Sequence, residues 1–164
     1  MFERTDNSTR QIVIAAVMAS LVCVTTLLIQ VPIPATQGFF NVGDAMIMLA
    51  AFIGGPFVGA IAGGLGASLA DFIGGWYTWV IPTLIIKGIE GFLAGWIGQN
   101  GFSRKVLGWL IGGGEMVTGY LLVQTLFYGL SAALFEVPYN IVQMSVGGLV
   151  GIPLAEALKR RLAS

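Results

Sequence analysis

The stretch from Gly43 to Gly95, GDAMIMLAAFIGGPFVGAIAGGLGASLADFIGGWYTWVIPTLIIKGIEGFLAG, decides the fold. Its only charged residues are Asp44, Asp71, Lys87 and Glu90, set in an apolar, glycine-rich background. A soluble core has no need of so long an apolar run, and a lipid-facing surface tolerates those charges only at high cost. Close-packed membrane helices around a polar pocket satisfy both constraints.

The rest of the chain agrees. Of 164 residues, 56% are hydrophobic and 10% charged, against about 25% charged in soluble domains. Apolar segments long enough to cross a bilayer follow one another with little interruption. The expectation is an all-α integral membrane protein, a single domain over 1–164, with six transmembrane helices in a compact bundle. The spans are placed near 9–31, 43–54, 56–73, 78–97, 106–135 and 139–158. The first reads as a retained helix, because MFERTDNSTR is mixed in charge and no small-residue cleavage site follows.

Glycine and proline set the boundaries. Pro32 and Pro34 end the first span, and a loop carrying Phe39 and Phe40 follows. Gly54-Gly55-Pro56 separates a short second span from the third; the second either joins the third with little turn or is tilted and continuous with the end of the preceding loop. Gly55, Gly59 and Gly63 recur every fourth residue, a pattern for close helix approach. Gly74-Gly75 is read as a break, Gly112-Gly113-Gly114 as a kink, and Glu136-Val137-Pro138 as the last turn.

An even number of spans puts both termini on one side. Arg4, Arg10, Arg104, Lys105, Lys159, Arg160 and Arg161 all fall on that side, and Lys87 alone lies inside a span. By the positive-inside rule the termini are cytoplasmic, in a multi-pass protein of a prokaryotic-type cell membrane. Zero net charge gives no sign of nucleic-acid binding. With no histidine and a single cysteine, Cys23, neither a disulfide nor a Cys/His metal site is expected within the chain.

With this orientation the polar side chains gather in the outer half of the bundle. Lys87 lies roughly 14 Å down its span, at about 1.5 Å per residue, with Glu90 one turn deeper. Tyr120, Gln124 and Tyr128 share one stripe, and Tyr139, Asn140 and Gln143 one arc. Glu115 is deeper and faces away. Two readings stay open at several positions. Lys87 and Glu90 form a structural ion pair or meet a ligand. Asp44 caps a helix or serves the pocket. Trp76, Tyr77 and Trp79 form an interfacial belt or aromatic walls for a planar ligand. Ala15 and Ala19 pack a neighbouring helix or dock a partner. Asp71, near a helix C-terminus, opposes the helix dipole and so needs a donor or cation nearby.

The segment GDAMIMLAAFIGGPFVGAIAGGLGASLADFIGG…IKGIEGFLAG resembles the substrate-binding S components of energy-coupling factor (ECF) vitamin transporters. The subgroup it is most similar to is the one assigned to riboflavin, hydroxymethylpyrimidine or pyridoxine. The resemblance implies capture of a vitamin from outside, then association with a coupling membrane protein and two cytoplasmic ATPases. Ala15 and Ala19 would match the alanine motif that meets the coupling protein. Substrate-binding positions carried over are Gly38, Phe39, Asn41, Trp76, Tyr77, Trp79, Lys87, Tyr120, Gln124, Tyr139, Asn140 and Gln143, and Asp71 joins them on its own chemistry. No cofactor is expected, since the vitamin is cargo and ATP is used by the partners. The chain has no GxxxxGK[ST] pattern, so ATP hydrolysis falls to those partners. A small, flat heterocycle, hydroxymethylpyrimidine or pyridoxine-like, suits these residues better than the larger riboflavin. The rival is a stand-alone carrier or channel using Lys87, Glu90 and Glu115 as an ion or proton relay. An enzyme is disfavoured, because no nucleophile–base pair or metal cluster is present.

Overall fold

The computed structural model describes residues 2–162, and side chains over 8–161. Arg4, counted above with the basic residues, lies outside the described side chains. Among the described residues, five helices are long and apolar enough to cross a membrane, and they account for most of the chain. In chain order the elements are α1 (Phe2–Leu28), β1 (Gln30–Ile33), β2 (Gly38–Asn41), α2 (Asp44–Gly74), a 3-10 turn (Tyr77–Trp79), α3 (Val80–Ile97), α4 (Phe102–Tyr128) and α5 (Leu130–Leu162).

The second and third expected spans form one helical element, α2, interrupted at Gly55. Gly55 has φ 82° and ψ −171°, a conformation that glycine adopts without the cost a side chain would add. Pro56 follows, and its fixed φ suits the restart of the helix. The interruption is a reversal of direction. A Cβ at Gly59 would lie 2.9 Å from Cβ of Ala51, and one at Gly63 would lie 3.2 Å from Ile47. Residues sixteen apart in a straight helix would be separated by about 24 Å. The arm after Pro56 therefore folds back along the arm before Gly54.

That second arm lies against α3 almost without side chains between them. A Cβ at Gly59 would strike the carbonyl oxygen of Gly91, and one at Gly91 would strike that of Gly59. Gly63 faces the Lys87 carbonyl in the same way, and a Cβ at Gly95 would lie 2.7 Å from the Gly55 backbone. The four-residue glycine pattern thus serves the close approach its spacing predicts. Lipid supplies no hydrophobic force to drive helices together, so backbone proximity and dispersion carry the association. The arm ends in a Schellman arrangement, with Gly75 at φ 82°, Trp76 N–H donating to Asp71 O at 2.8 Å and Gly75 N–H to Phe72 O at 3.3 Å.

Three expectations are corrected. The segment after α1 is a two-stranded antiparallel hairpin pairing Gln30 with Asn41 and Ile33 with Gly38. Its prolines suggested a loop, but an isolated two-stranded ribbon tolerates proline on its outer edge. The break between the last two helices falls at Gly129, φ 85°, and Glu136-Val137-Pro138 lies inside α5. Proline is tolerated in membrane helices where neighbours satisfy the freed carbonyl, so Pro138 did not mark the turn. Gly112-Gly113-Gly114 does not divide α4; Gly112 packs on the Glu90 carbonyl and Gly113 on Met144.

Outward-facing residues such as Ile12, Leu69, Ile81, Leu126 and Leu149 are exposed, as a lipid-facing surface requires. Ala15 is buried in a cluster with Met18, Val22, Ile47 and Ala62, and the Ala19 carbonyl abuts Gly66. Ala15 is thus packed on α2 and Ala19 is half-buried, while the small residues that α1 leaves exposed are Ala16 and Ser20.

Substitutions at two glycines separate packing from propensity. Gly59→Val should destabilise the detergent-solubilised protein by about 1–3 kcal/mol through the clash with α3. Gly114→Ala, whose Cβ would meet nothing within 4 Å, should raise stability by up to about 1 kcal/mol. Thermal unfolding would check both, and equal effects would contradict the packing described.

Candidate functional site

All five helices and the second strand converge on one small cavity. Its lining comprises Thr26 of α1; Gly38, Phe39 and Asn41 of β2; Ala67 and Asp71 of α2; Trp79, Thr83 and Lys87 on the α3 side; Tyr120 and Gln124 of α4; and Glu136, Asn140 and Gln143 of α5.

One side of the cavity rests on a buried ionic cluster. The Lys87 ammonium donates to Asp44 Oδ1 at 2.6 Å and to Glu90 Oε2 at 2.9 Å, with all three residues at most 2% exposed. Gln143 Nε2 donates to both Asp44 oxygens at 3.3 and 3.4 Å, and its Oε1 accepts from the Asn41 amide at 3.1 Å. Asp44 is not the helix cap: Gly43 holds that position, and the carboxylate turns inward to Lys87. Its partner lies forty-three residues away in sequence, a pairing that local spacing does not show. The Lys87–Glu90 pair expected from the i, i+3 spacing is present, within this larger cluster.

Aromatic rings adjoin this cluster. Trp79 packs edge-on to Tyr120 with centroids 5.8 Å apart, and Tyr128 lies 6.1 Å from Trp79. The Tyr120 and Thr83 hydroxyls share a hydrogen bond at 3.1 Å, and the Lys87 ammonium lies 5.7 Å from the Tyr120 ring. The hairpin is pinned over these groups. Trp79 Nε1 donates to Gln37 O at 3.0 Å, Trp76 Nε1 to Gln30 Oε1 at 3.3 Å, and the Phe39 ring packs at a tilt on Trp76 with centroids 5.1 Å apart. The Thr36 hydroxyl donates to Glu136.

Several buried polar atoms that face the cavity make no hydrogen bond: Thr26 Oγ1, Asp71 Oδ2, Asn140 Nδ2 and both Gln124 amide atoms. Such groups cost about 1–3 kcal/mol each when left unmet. Their concentration at one place is what a site built for a polar ligand presents.

The structure gathers Gly38, Phe39, Asn41, Asp71, Trp79, Lys87, Tyr120, Gln124, Asn140 and Gln143 around the cavity. Trp76 and Tyr77 instead line a neighbouring hollow with Pro32, Pro34 and Gln37. Tyr139 is exposed beside Phe40 and Val142, because its place in α5 turns it away from Asn140. Sequence reasoning did not place Thr26, Ala67 or Glu136 in this wall. Glu136 was assigned to a turn; the signal that could have found it is its i, i+4 relation to Asn140. Among the described residues, no group of three or more histidine, cysteine, aspartate or glutamate residues is arranged to hold a metal.

Removing one member of the ionic cluster strands the others. Lys87→Met should cost about 3–5 kcal/mol, and adding Asp44→Asn to it should recover part of the loss. Unfolding of the single and double variants in detergent checks this; a Lys87→Met protein as stable as the parent would contradict it.

Residues 6–160 match the family described as ECF-type riboflavin transporter, S component. A thiamine precursor transporter, HmpT, from Lactococcus lactis subsp. cremoris (strain MG1363) is 31% identical over 156 residues, covering 94% of this chain and 91% of that protein. An uncharacterized protein in a gap 3' region from Pyrococcus woesei is 46% identical over 143 residues, covering 86% of this chain and 96% of its own. The match extends through all the described helices, and it agrees with a membrane bundle enclosing a polar cavity. The chain belongs to the family of ECF-type transporter S components.

Proposed function

We propose that this chain captures a small heterocyclic vitamin precursor, of the hydroxymethylpyrimidine or pyridoxine kind, from outside the cell. The observation that carries this reading is the set of unsatisfied buried atoms of Thr26, Asp71, Gln124 and Asn140, facing the Trp79 and Tyr120 rings. A flat ring can stack on the aromatic wall while its heteroatoms meet the waiting amides and carboxyl. The relative named as a thiamine precursor transporter supports a pyrimidine. A cavity shared by so many side chains suits a small ligand better than a flavin with its ribityl chain.

In this reading the chain supplies recognition, and a coupling membrane protein with two cytoplasmic ATPases supplies transport energy. The reversal at Gly55 supports a proposed six crossings of the bilayer, with both termini taken to lie at the cytoplasmic membrane face. The Lys105–Glu156 ion pair joins the start of α4 to the end of α5 there. Docking falls to the outward face of α1, where Ala16 and Ser20 stand among exposed Val13, Val17 and Val24.

Titration of the purified protein with hydroxymethylpyrimidine, pyridoxine, thiamine and riboflavin tests the reading through tryptophan fluorescence. One compound should quench saturably, and Trp79→Phe should remove most of the signal. Gln124→Leu should weaken binding by about tenfold or more, since it deletes two hydrogen-bonding atoms. Vesicle uptake should require the coupling protein and ATPases. Ion-gradient-driven uptake by this chain alone would instead establish the relay through Lys87, Glu90 and Glu115.

A further inference from the structure

Two glutamines line the cavity in opposite states. Gln124 is fully buried and neither atom of its amide has a partner in the protein. Gln143 is also buried, but both ends of its amide are taken. Its Nε2 donates to the Asp44 carboxylate at 3.3 and 3.4 Å, and its Oε1 accepts from the Asn41 N–H at 3.1 Å. The partners fix this orientation, because a backbone N–H only donates and a carboxylate bonded to the Lys87 ammonium only accepts. The two groups it grips stand on either side of the joint between β2 and α2. Inside that joint the Asn41 side chain accepts from the Gly43 N–H at 2.9 Å. Gly147, one turn along α5, lets the helix come close, since a Cβ there would lie 3.0 Å from Cβ of Asp44. On the α1 side, a Cβ at Gly43 would strike the Thr26 hydroxyl.

We infer that Gln143 is a positioning residue: it clamps the joint between β2 and α2, sets the angle at which the hairpin leaves α2, and acts on capture through the hairpin without touching the ligand. Its effect on binding rests on the capture reading above; its effect on the hairpin rests on these hydrogen bonds alone. A two-stranded hairpin has little stability of its own, so its pose is set by whatever holds it. Trp76, Trp79 and Glu136 hold its first strand and its turn by single hydrogen bonds. Gln143 holds its base, and it does so from the ionic cluster: Lys87, Asp44, Gln143 and the Asn41 backbone form one unbroken chain of hydrogen bonds. Only an amide of this length serves both ends. Glutamate would set a carboxylate against Asp44, asparagine is one methylene short, and methionine fills the space while bonding neither group. Gln143→Glu combined with Asp44→Asn transposes the pairing. The introduced asparagine can then donate to the introduced glutamate and accept from Lys87, and the glutamate can still accept from Asn41. One negative charge remains beside Lys87 throughout.

Backbone hydrogen exchange of the intact protein in detergent, followed over residues 30–43 and over α3, tests the clamp without any ligand. Gln143→Met should speed exchange over 30–43 by about five- to tenfold and leave the interior of α3 as slow as in the parent. Gln143→Glu should have at least that effect, and adding Asp44→Asn to it should bring the hairpin back to within about twofold of the parent. Unchanged exchange over 30–43 in Gln143→Met, acceleration spread evenly through the helices, or a double variant no slower than Gln143→Glu would each overturn the assignment. If Gln143→Glu fails to fold and the double variant folds, the transposed pairing is upheld; if neither folds, Gln143→Met decides alone. Titration with hydroxymethylpyrimidine gives the second readout. Gln143→Met should release that compound about five- to tenfold faster, in step with the hairpin. Lost binding with hairpin exchange unchanged would make Gln143 a ligand contact and overturn the inference. A parent that does not bind the compound would count against its capture and not against the clamp, which exchange decides.

Discussion

The structure depends on one ammonium group held out of water. Lys87 is 2% exposed in a helix surrounded by apolar neighbours, where an isolated charge would cost several kcal/mol or more. Two carboxyl groups from different parts of the chain, Asp44 and Glu90, make its burial tolerable. For Asp44 to reach it, α2 must begin beside α5, where Gln143 meets the same carboxylate, and then double back along α3. The reversal at Gly55 and the glycine contacts between Gly59 and Gly91 provide that path. The ionic cluster and the glycine packing therefore support one another: the packing sets the distance, and the cluster fixes the depth and register.

The same arrangement shapes the recognition surface. Because Lys87 is already bound on two sides, it supports the cavity as a neutralised strut instead of standing in it as an anion receptor. What faces the cavity is the aromatic pair Trp79 and Tyr120 with the Gln124 and Asn140 amides and one Asp71 oxygen that lacks a partner. The hairpin completes the enclosure through hydrogen bonds from both tryptophans, so closing the site and holding the hairpin are the same set of contacts. Each link is a single hydrogen bond of modest net strength.

Much of this was legible from residue type and spacing. The membrane character followed from composition, the close helix approach from Gly55, Gly59 and Gly63, and the helix end from Gly74-Gly75. The convergence of Lys87, Tyr120, Gln124, Asn140 and Gln143 followed from depth along each span. Misplaced features share a cause. Tyr139 and Trp76 were grouped with sequence neighbours that face the cavity, but a helix turns each successive residue by about 100°, and a short loop turns it unpredictably. Glu136 was lost to a turn because proline two residues later outweighed its helical spacing to Asn140. Asp44 looked like a cap because its true partner is distant along the chain.

What the sequence determined by itself is the set of local constraints: which segments are apolar enough for lipid, where glycine permits contact or reversal, and which few polar residues must be satisfied inside. Those follow from the free energy of moving side chains and peptide groups out of water, which depends on residue type and short-range periodicity. Only the tertiary structure decided that α2 reverses at Gly55, that Asp44 joins Glu90 on Lys87, and that Asp71, Gln124 and Asn140 are left facing one cavity. Those outcomes depend on distances between residues far apart in the chain, and a pairing between them exists only once the helices have packed.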